Sequence, residues 1–257
     1  MRILLLNPNT TASITDRVHE VACTVAARHA SDCTFTPVTG RFGAAYIASE
    51  AASAIAGHAA LDGFARTYDG HDAVLLACFG DPGLAALQEL SPVPVVGMAD
   101  AACHAACLVG PRFAIVTGGE RWGPMLRRFV AAIGLAERLA HVATVAPSGA
   151  DIARDPDGSL AMLEAACRDC GQRGADVVVL AGAGLAGLAP RVTASVPVLC
   201  STAVAVEAAL TLARLRPAKA ATGARASTPP VPSVGLDPAL ERWLAGQAMM
   251  PVIANRK

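Results

Sequence analysis

Lysine is nearly missing from this chain. Only Lys219 and Lys257 occur among 257 residues, one in a polar stretch and one at the last position. That scarcity argues against chemistry built on a buried lysine, such as Schiff-base formation, pyridoxal phosphate anchoring or P-loop phosphate binding. Aromatic residues are scarce too, at 4%, so the interior has to be built from Ala, Val and Leu. Net charge is +0 and charged residues reach only 16%, which leaves no basic face for nucleic acid or an anionic membrane. No apolar run extends to about 18 residues without a charge, Pro or Gly, so no membrane span is expected. The start, MRILLLNPNTT, carries one basic residue and a short apolar stretch, too little for an export signal. A cytoplasmic location is expected.

What the chain does contain is apolar bulk. Hydrophobic residues make up 53% and mean hydropathy is +0.44, enough for a large packed core in one large or two small domains. The cysteines are Cys23, Cys33, Cys78, Cys103, Cys107, Cys167, Cys170 and Cys200. In a cytosolic chain they read as free thiols. Cys167 and Cys170 form a CxxC, but inside a predicted helix rather than at a helix start, where a redox pair gains its low pKa. Cys103, His104 and Cys107 also fall on a helical stretch. Their spacing is poor for zinc, and small buried side chains are expected, with no metal site.

Short apolar strands alternate with Ala-rich helices. Strands are predicted at 2–6, 33–38, 73–77, 93–96, 113–116, 140–145, 177–181 and 196–199. Helices are predicted at 11–29, 44–68, 82–90, 100–109, 124–133, 159–173, 188–192 and 202–214. Continuous apolar strands separated by helices imply parallel sheets covered on both faces. An internal repeat is also visible. HDAVLLACFGDPGLA, ending at Ala85, aligns with ADVVVLAGAGLAGLA, ending at Ala189. Identity holds at Asp72/Asp176, Val74/Val178, Leu76/Leu180, Ala77/Ala181, Gly80/Gly184, Gly83/Gly187, Leu84/Leu188 and Ala85/Ala189. An Arg-led strand precedes each copy, and a strand with an Ala-rich helix follows it. The predicted fold class is therefore α/β, two pseudo-symmetric parallel-sheet domains with a cleft between them. The first spans residues 1–97 plus 204–214 and the second 98–203. Residues 215–257 form a linker and C-terminal tail with a short helix at 237–244.

In open α/β sheets ligands bind beyond the carboxyl ends of the strands. There the first unit delivers Asn7-Pro8-Asn9-Thr10 and Cys78-Phe79-Gly80-Asp81. The second delivers Thr117-Gly118-Gly119-Glu120 and Gly182-Ala183-Gly184. Cys78 is the most reactive-looking residue. Backbone amides before the next helix can lower a thiol pKa and bind an oxyanion, although a buried inert thiol fits the same position. GAGLAG at 182–187 spells a dinucleotide fingerprint, but no acid follows about 20 residues on and Pro190 interrupts the next helix. Asn7 and Asn9 can cap the first helix or turn, and Asn9 can equally contact a polar substrate. Asp81 and Glu120 are the acids nearest the cleft, with helix capping as the alternative. Phe42 and Tyr46 either cover the cleft or simply pack. No strongly charged pocket is apparent, unless Arg41 or Arg121 folds inward.

The segments NPNT, ACFGDPGL and PVVGMADAA, with the paired late glycines, resemble the hydantoin racemase branch of the aspartate/glutamate racemase superfamily over roughly residues 1–214. The resemblance implies two α/β domains, no cofactor, and one cysteine from each domain, working on opposite faces of a substrate carbon. Its relatives include allantoin racemases, maleate isomerases and arylmalonate decarboxylases. Cys78 matches the first-domain cysteine. Asn9, Phe79, Thr117 and Gly118 match positions lining the substrate pocket. Gly182 stands where the family carries its second cysteine, and the internal repeat pairs Cys78 with Gly182 as well.

Two-way racemisation needs an acid or base on each face of the carbon. Cys200, a water molecule, or a reaction with a single protonation would each answer the missing thiol. The leading expectation is a racemase or epimerase of a hydantoin-like or amino-acid-like small molecule. Its oxyanion donors would be the N–H groups of Phe79, Gly80, Ala183 and Gly184. The alternatives are a decarboxylase using Cys78 as sole proton donor and a catalytically reduced ligand-binding member. A small-molecule partner and a homo-oligomer are expected, with neither nucleic acid nor membrane as partner.

Overall fold

The computed structural model describes residues 1–29, 32–227 and 229–247. Residues 248–257 of the predicted tail, Lys257 among them, lie outside the described residues.

Two four-stranded parallel sheets form the frame. In the first, β1 (Arg2–Asn7), β2 (Thr34–Thr39), β3 (Ala73–Leu76) and β4 (Val95–Gly97) lie in the order β2-β1-β3-β4. In the second, β5 (Phe113–Gly118), β6 (Leu139–Val145), β7 (Val177–Ala181) and β8 (Val198–Cys200) repeat that order as β6-β5-β7-β8. β3, β5 and β7 are buried along their whole length, as strands sandwiched between helices must be. The connecting helices are α1 (Ala12–Ala27), α2 (Glu50–Thr67), α3 (Leu84–Leu90), α4 (Met98–Val109), α5 (Trp122–Ala132), α6 (Gly149–Arg154), α7 (Pro156–Gln172) and α8 (Ser201–Leu215).

The repeat is physical as well as sequential. Each central strand opens on a clamp between an Arg and an Asp. The Arg2 N–H donates to Asp72 Oδ2 at 2.8 Å, and the Arg112 N–H donates to Asp176 Oδ2 at 2.8 Å. The register then runs in step, pairing Leu6 with Leu76 and Val116 with Leu180. One residue further, Ala77 is still held by its N–H to Leu6 O at 2.7 Å. Cys78 and Gly182 are therefore equivalent positions in the two units.

One large apolar cluster joins the facing sides of the two sheets through α1, α4 and α8. Leu163, Cys167 and Cys170 of α7 cover the outer face of the second sheet, and Ala60 and Phe64 of α2 that of the first. Helix α8 packs on α1, α4 and β3, so the chain returns to the first unit after β8. The tail then ends on α9 (Pro238–Leu244), where Trp243 sits 5.0 Å from Phe64, ring centre to ring centre.

Several boundaries differ from expectation, each with a local cause. The helix predicted from residue 44 starts at Glu50, because Ser49 caps it by accepting from the Ala52 N–H at 3.1 Å. Residues 44–49 stay in a loop whose carbonyls are engaged elsewhere: Ala44 O accepts from the Thr10 N–H and Ala45 O from Thr11 Oγ1. The helix predicted from residue 82 starts at Leu84, since Asp81 (φ 48°) and Gly83 (φ 78°) are left-handed. The predicted helix at 188–192 is one 3-10 turn, Ala189–Arg191, where Pro190 leaves no donor for a longer one. Helix α6 was not expected. A reciprocal capping box between Ser148 and Asp151 starts it.

Candidate active site

The order 2-1-3-4 sends the crossovers after β1 and β3 in opposite directions, and a crevice opens between those two strand ends. The same happens between β5 and β7. The first crevice presents Asn9 and Cys78-Phe79. The second presents Thr117-Gly118 and Gly182-Ala183-Gly184. All of these line one cleft, together with Tyr46, Ile47, Trp122 and Gly149. Of the residues that sequence reasoning singled out, Asn9, Cys78, Phe79, Thr117, Gly118, Gly182, Ala183 and Gly184 are thus brought together. Gly80 stands behind the lining, where a Cβ would lie 2.7 Å from the Trp122 ring.

Cys200 is not among them. It packs against the apolar cluster on the outer, α7 side of the second sheet, because strand alternation turns it away from the cleft. The neighbouring Ser201 turns inward, and its Oγ accepts from the Gly182 N–H at 3.3 Å. Glu120 is exposed and outside the lining. Arg121 is exposed as well. Arg41 folds away from the cleft, onto Asp62 (2.7 and 2.9 Å) and Asp237 (2.9 Å). Phe42 leaves the cleft to meet His58 edge-on, while Tyr46, its suggested companion, stays in it.

On the first wall, Asn7 and Asn9 brace each other. Asn7 Nδ2 donates to Asn9 Oδ1 (3.0 Å) and Thr15 Oγ1 (2.9 Å), and Asn9 Oδ1 also accepts from the Thr11 N–H (2.9 Å). Its oxygen thus spent, Asn9 has an Nδ2 without an acceptor among the described residues, available to a polar substrate. The N–H groups of Phe79, Ala183 and Gly184 also lack acceptors among the described residues. Donors on both sides of one cleft can hold an oxyanion.

Cys78 is only 7% exposed. Burial pushes its thiol up to about 12, and the carboxylate of Asp81 adds to the rise. The expected acidification by a helix N-terminus is absent. Helix α3 starts six positions further on, with Gly83 as its cap. Asp81 is committed elsewhere. Its two oxygens accept from the N–H groups of Ala99 (3.0 Å) and Asp100 (2.7 Å), capping α4 across the sheet. Burial nonetheless pushes its carboxyl up to about 7.

The second wall differs at the position equivalent to Cys78. Gly182 holds φ 115° and ψ 144°, a conformation reserved for glycine. A Cβ there would meet only ordinary neighbours, Thr117 Oγ1 at 3.6 Å and Leu185 Cδ1 at 3.8 Å. The backbone, not the space, keeps a side chain out. Thr117 Oγ1 gives its proton to Ala181 O at 2.9 Å.

Tyr46 is the residue whose importance the sequence understated. Carried by the first unit's loop, it reaches the second wall. Its hydroxyl donates to Gly118 O at 3.0 Å and accepts from Trp122 Nε1 at 3.0 Å. The signal available was its rarity: the chain holds two tyrosines and two tryptophans. Among the described residues no helix is long and apolar enough to cross a membrane.

Comparison with known proteins agrees with this geometry. The family model described as Asp/Glu/Hydantoin racemase matches residues 3–209. A hydantoin racemase of Pseudomonas sp. (strain NS671) is 32% identical over 219 residues, covering 84% of this chain and 87% of that one. A hydantoin racemase of Paenarthrobacter aurescens is 32% identical over 220 residues, covering 84% and 92%. The crystal structure of allantoin racemase from Pseudomonas fluorescens superposes with a TM-score of 0.85 at 31% identity, covering 91% of this chain and all of that one. The frame, the cleft at its switch points and these relatives converge: the chain belongs to the Asp/Glu/hydantoin racemase family.

Proposed function

We propose that this chain is a racemase or epimerase that acts on a small ring of the hydantoin or allantoin type by moving a proton at its acidic carbon. The observation that carries the reading is the placement of Cys78 at the switch point of the first sheet, facing free backbone N–H groups across the cleft. The similarity to hydantoin and allantoin racemases supports the choice of ring.

The chemistry follows from the lining. Cys78 acts as the base on the first wall. Its thiolate takes the proton from a carbon flanked by nitrogen and carbonyl, and the C–H electron pair moves into the carbonyl as an enolate. The N–H groups of Phe79, Ala183 and Gly184 hold the resulting oxyanion. Asn9 Nδ2 orients a second polar edge of the ring. The reading draws on these groups alone and needs no cofactor. Burial keeps most of Cys78 protonated, so the reactive form is the minor thiolate, whose proton has passed to solvent before the ring binds.

Gly182 occupies the position at which a second thiol would stand, and this favours a second reading: a decarboxylase in which Cys78 delivers the only proton. One experiment separates the two. Both enantiomers of 5-substituted hydantoins and of allantoin are incubated in heavy water, with deuterium followed by NMR and configuration by optical rotation. Deuterium uptake with loss of rotation is the expected result, with racemisation abolished in Cys78→Ser. Uptake with retained rotation favours the one-proton reaction, and absence of uptake on every ring refutes the racemase.

A further inference from the structure

We propose that the Tyr46 hydroxyl is the second proton carrier of this cleft, working from the wall on which Gly182 replaces a thiol. The inference rests on the racemase reading above and names the group that reading leaves open.

Among the described residues, only two side chains that line the cleft can exchange a proton with a bound ring, Cys78 and Tyr46. Asn9, Thr117 and Trp122 do not titrate in the accessible range. The two groups stand on opposite walls. Cys78 follows β3 of the first sheet, whereas the Tyr46 hydroxyl sits against Gly118, at the end of β5 of the second. The second wall is shaped around that hydroxyl. A Cβ on Gly119 would lie 2.6 Å from it, so any side chain at 119 would expel it. Trp122 Nε1 holds it at 3.0 Å, and the ring of Trp122 is itself seated against Gly80 of the first unit.

The loop that carries Tyr46 is anchored rather than free. Ala44 O accepts from the Thr10 N–H, Ala45 O accepts from Thr11 Oγ1, and Ile47 is buried. These anchors lie in the same NPNT segment that supplies Asn9. The side chain is therefore delivered with a fixed orientation, as a proton carrier requires. Burial raises its pKa, and the N–H groups of Gly149 and Trp122 pull in the other direction by favouring the phenolate.

The step balances without a further reactant. The Cys78 thiolate forms an S–H bond as the ring C–H bond breaks, and the electron pair rests on the carbonyl oxygen. The Tyr46 O–H then turns from Gly118 O to the ring, its O–H bond breaks and a new C–H bond forms on the opposite face. The products are the inverted ring, a Cys78 thiol and a Tyr46 phenolate. That form takes the other enantiomer in the reverse direction, and exchange with solvent restores the starting form.

The test is enantiomer-resolved exchange in heavy water with wild type, Tyr46→Phe and Cys78→Ser. Tyr46→Phe is expected to lose racemisation by about 10²–10⁴-fold, while exchange of one enantiomer persists with retained configuration. Cys78→Ser is expected to keep exchange of the other enantiomer only. A purely structural role for Tyr46 would lower both exchanges together. Racemisation by Tyr46→Phe within tenfold of wild type, or parallel loss of exchange for both enantiomers, overturns the assignment. Should Tyr46→Phe fail to fold, Trp122→Phe keeps the hydroxyl and removes its N–H donor. It is expected to reduce exchange of the enantiomer served by Tyr46 at least tenfold more than that of the other, and equal reductions overturn the proposal. Inactivity of the wild type on every ring refutes the racemase reading itself, whereas failure in the variants alone refutes only the role of Tyr46.

Discussion

Gly182→Ala isolates the reason why one wall of the cleft carries no side chain. The substitution adds a single Cβ. Its nearest neighbours would be Thr117 Oγ1 at 3.6 Å and Leu185 Cδ1 at 3.8 Å, both ordinary van der Waals distances, so steric overlap contributes almost nothing. What remains is the backbone. At φ 115° and ψ 144° an L-residue costs about 1–3 kcal/mol. For a chain of this length each kcal/mol corresponds to about 2–4 °C in melting temperature, so a loss of about 2–12 °C is expected by circular dichroism. A melting temperature within about 1 °C of wild type would show that residue 182 relaxes to negative φ at no cost, and would refute the backbone explanation. A loss well beyond that range would mean that the Cβ meets more than its two ordinary neighbours. Gly182→Cys carries the same backbone cost, so a second thiol cannot be installed here without loss of stability.

Three further outcomes follow from the same geometry. Cys78→Ser should abolish deuterium exchange of the enantiomer served by the first wall while lowering the melting temperature by no more than about 12 °C, since a hydroxyl buried in place of the thiol costs about 1–3 kcal/mol; a variant that still exchanges that enantiomer at the wild-type rate would exclude Cys78 as base. Because the thiol is raised from its ordinary 9.0 to about 12, its thiolate fraction grows about tenfold per pH unit below that value, so kcat/KM should climb through the neutral and mildly alkaline range without levelling off, and a plateau near neutrality would contradict the assignment. Asp81 is raised from 3.8 to about 7, so the folded state favours its protonated form; its contribution is fully present below about pH 4 and is lost as pH rises to about 7. Urea midpoints of wild type, measured relative to Asp81→Asn, should therefore increase as pH falls through that window, and the opposite slope would refute the shift.

Much of the frame was legible because it rests on local, periodic information. Apolar strands such as RILLL and DVVVL, spaced by Ala-rich helices, can only become buried parallel strands. The repeat pairs Cys78 with Gly182, and the strand registers Leu6 with Leu76 and Val116 with Leu180 give the same equivalence. The strand ends pointed to the cleft, because ligand sites in open α/β sheets follow from strand order. Helix starts were less legible. Residues 44–49 carry helix-forming alanines, yet carbonyl contacts to Thr10 and Thr11, far away in sequence, hold them in a loop.

By itself, then, the sequence determined the fold class, the duplicated unit and the group of residues at the strand ends, since these depend on periodicity and on strand connectivity. Tertiary structure decided which of those residues share the cleft and in what state. It turned Cys200 outward by strand alternation, spent Asp81 on the amides of α4, and raised the Cys78 thiol by burial where a helix start was expected to lower it. It also carried Tyr46 from the first unit to the second, because a hydrogen bond to Gly118 and a ring at Trp122 exist only once the two sheets face each other.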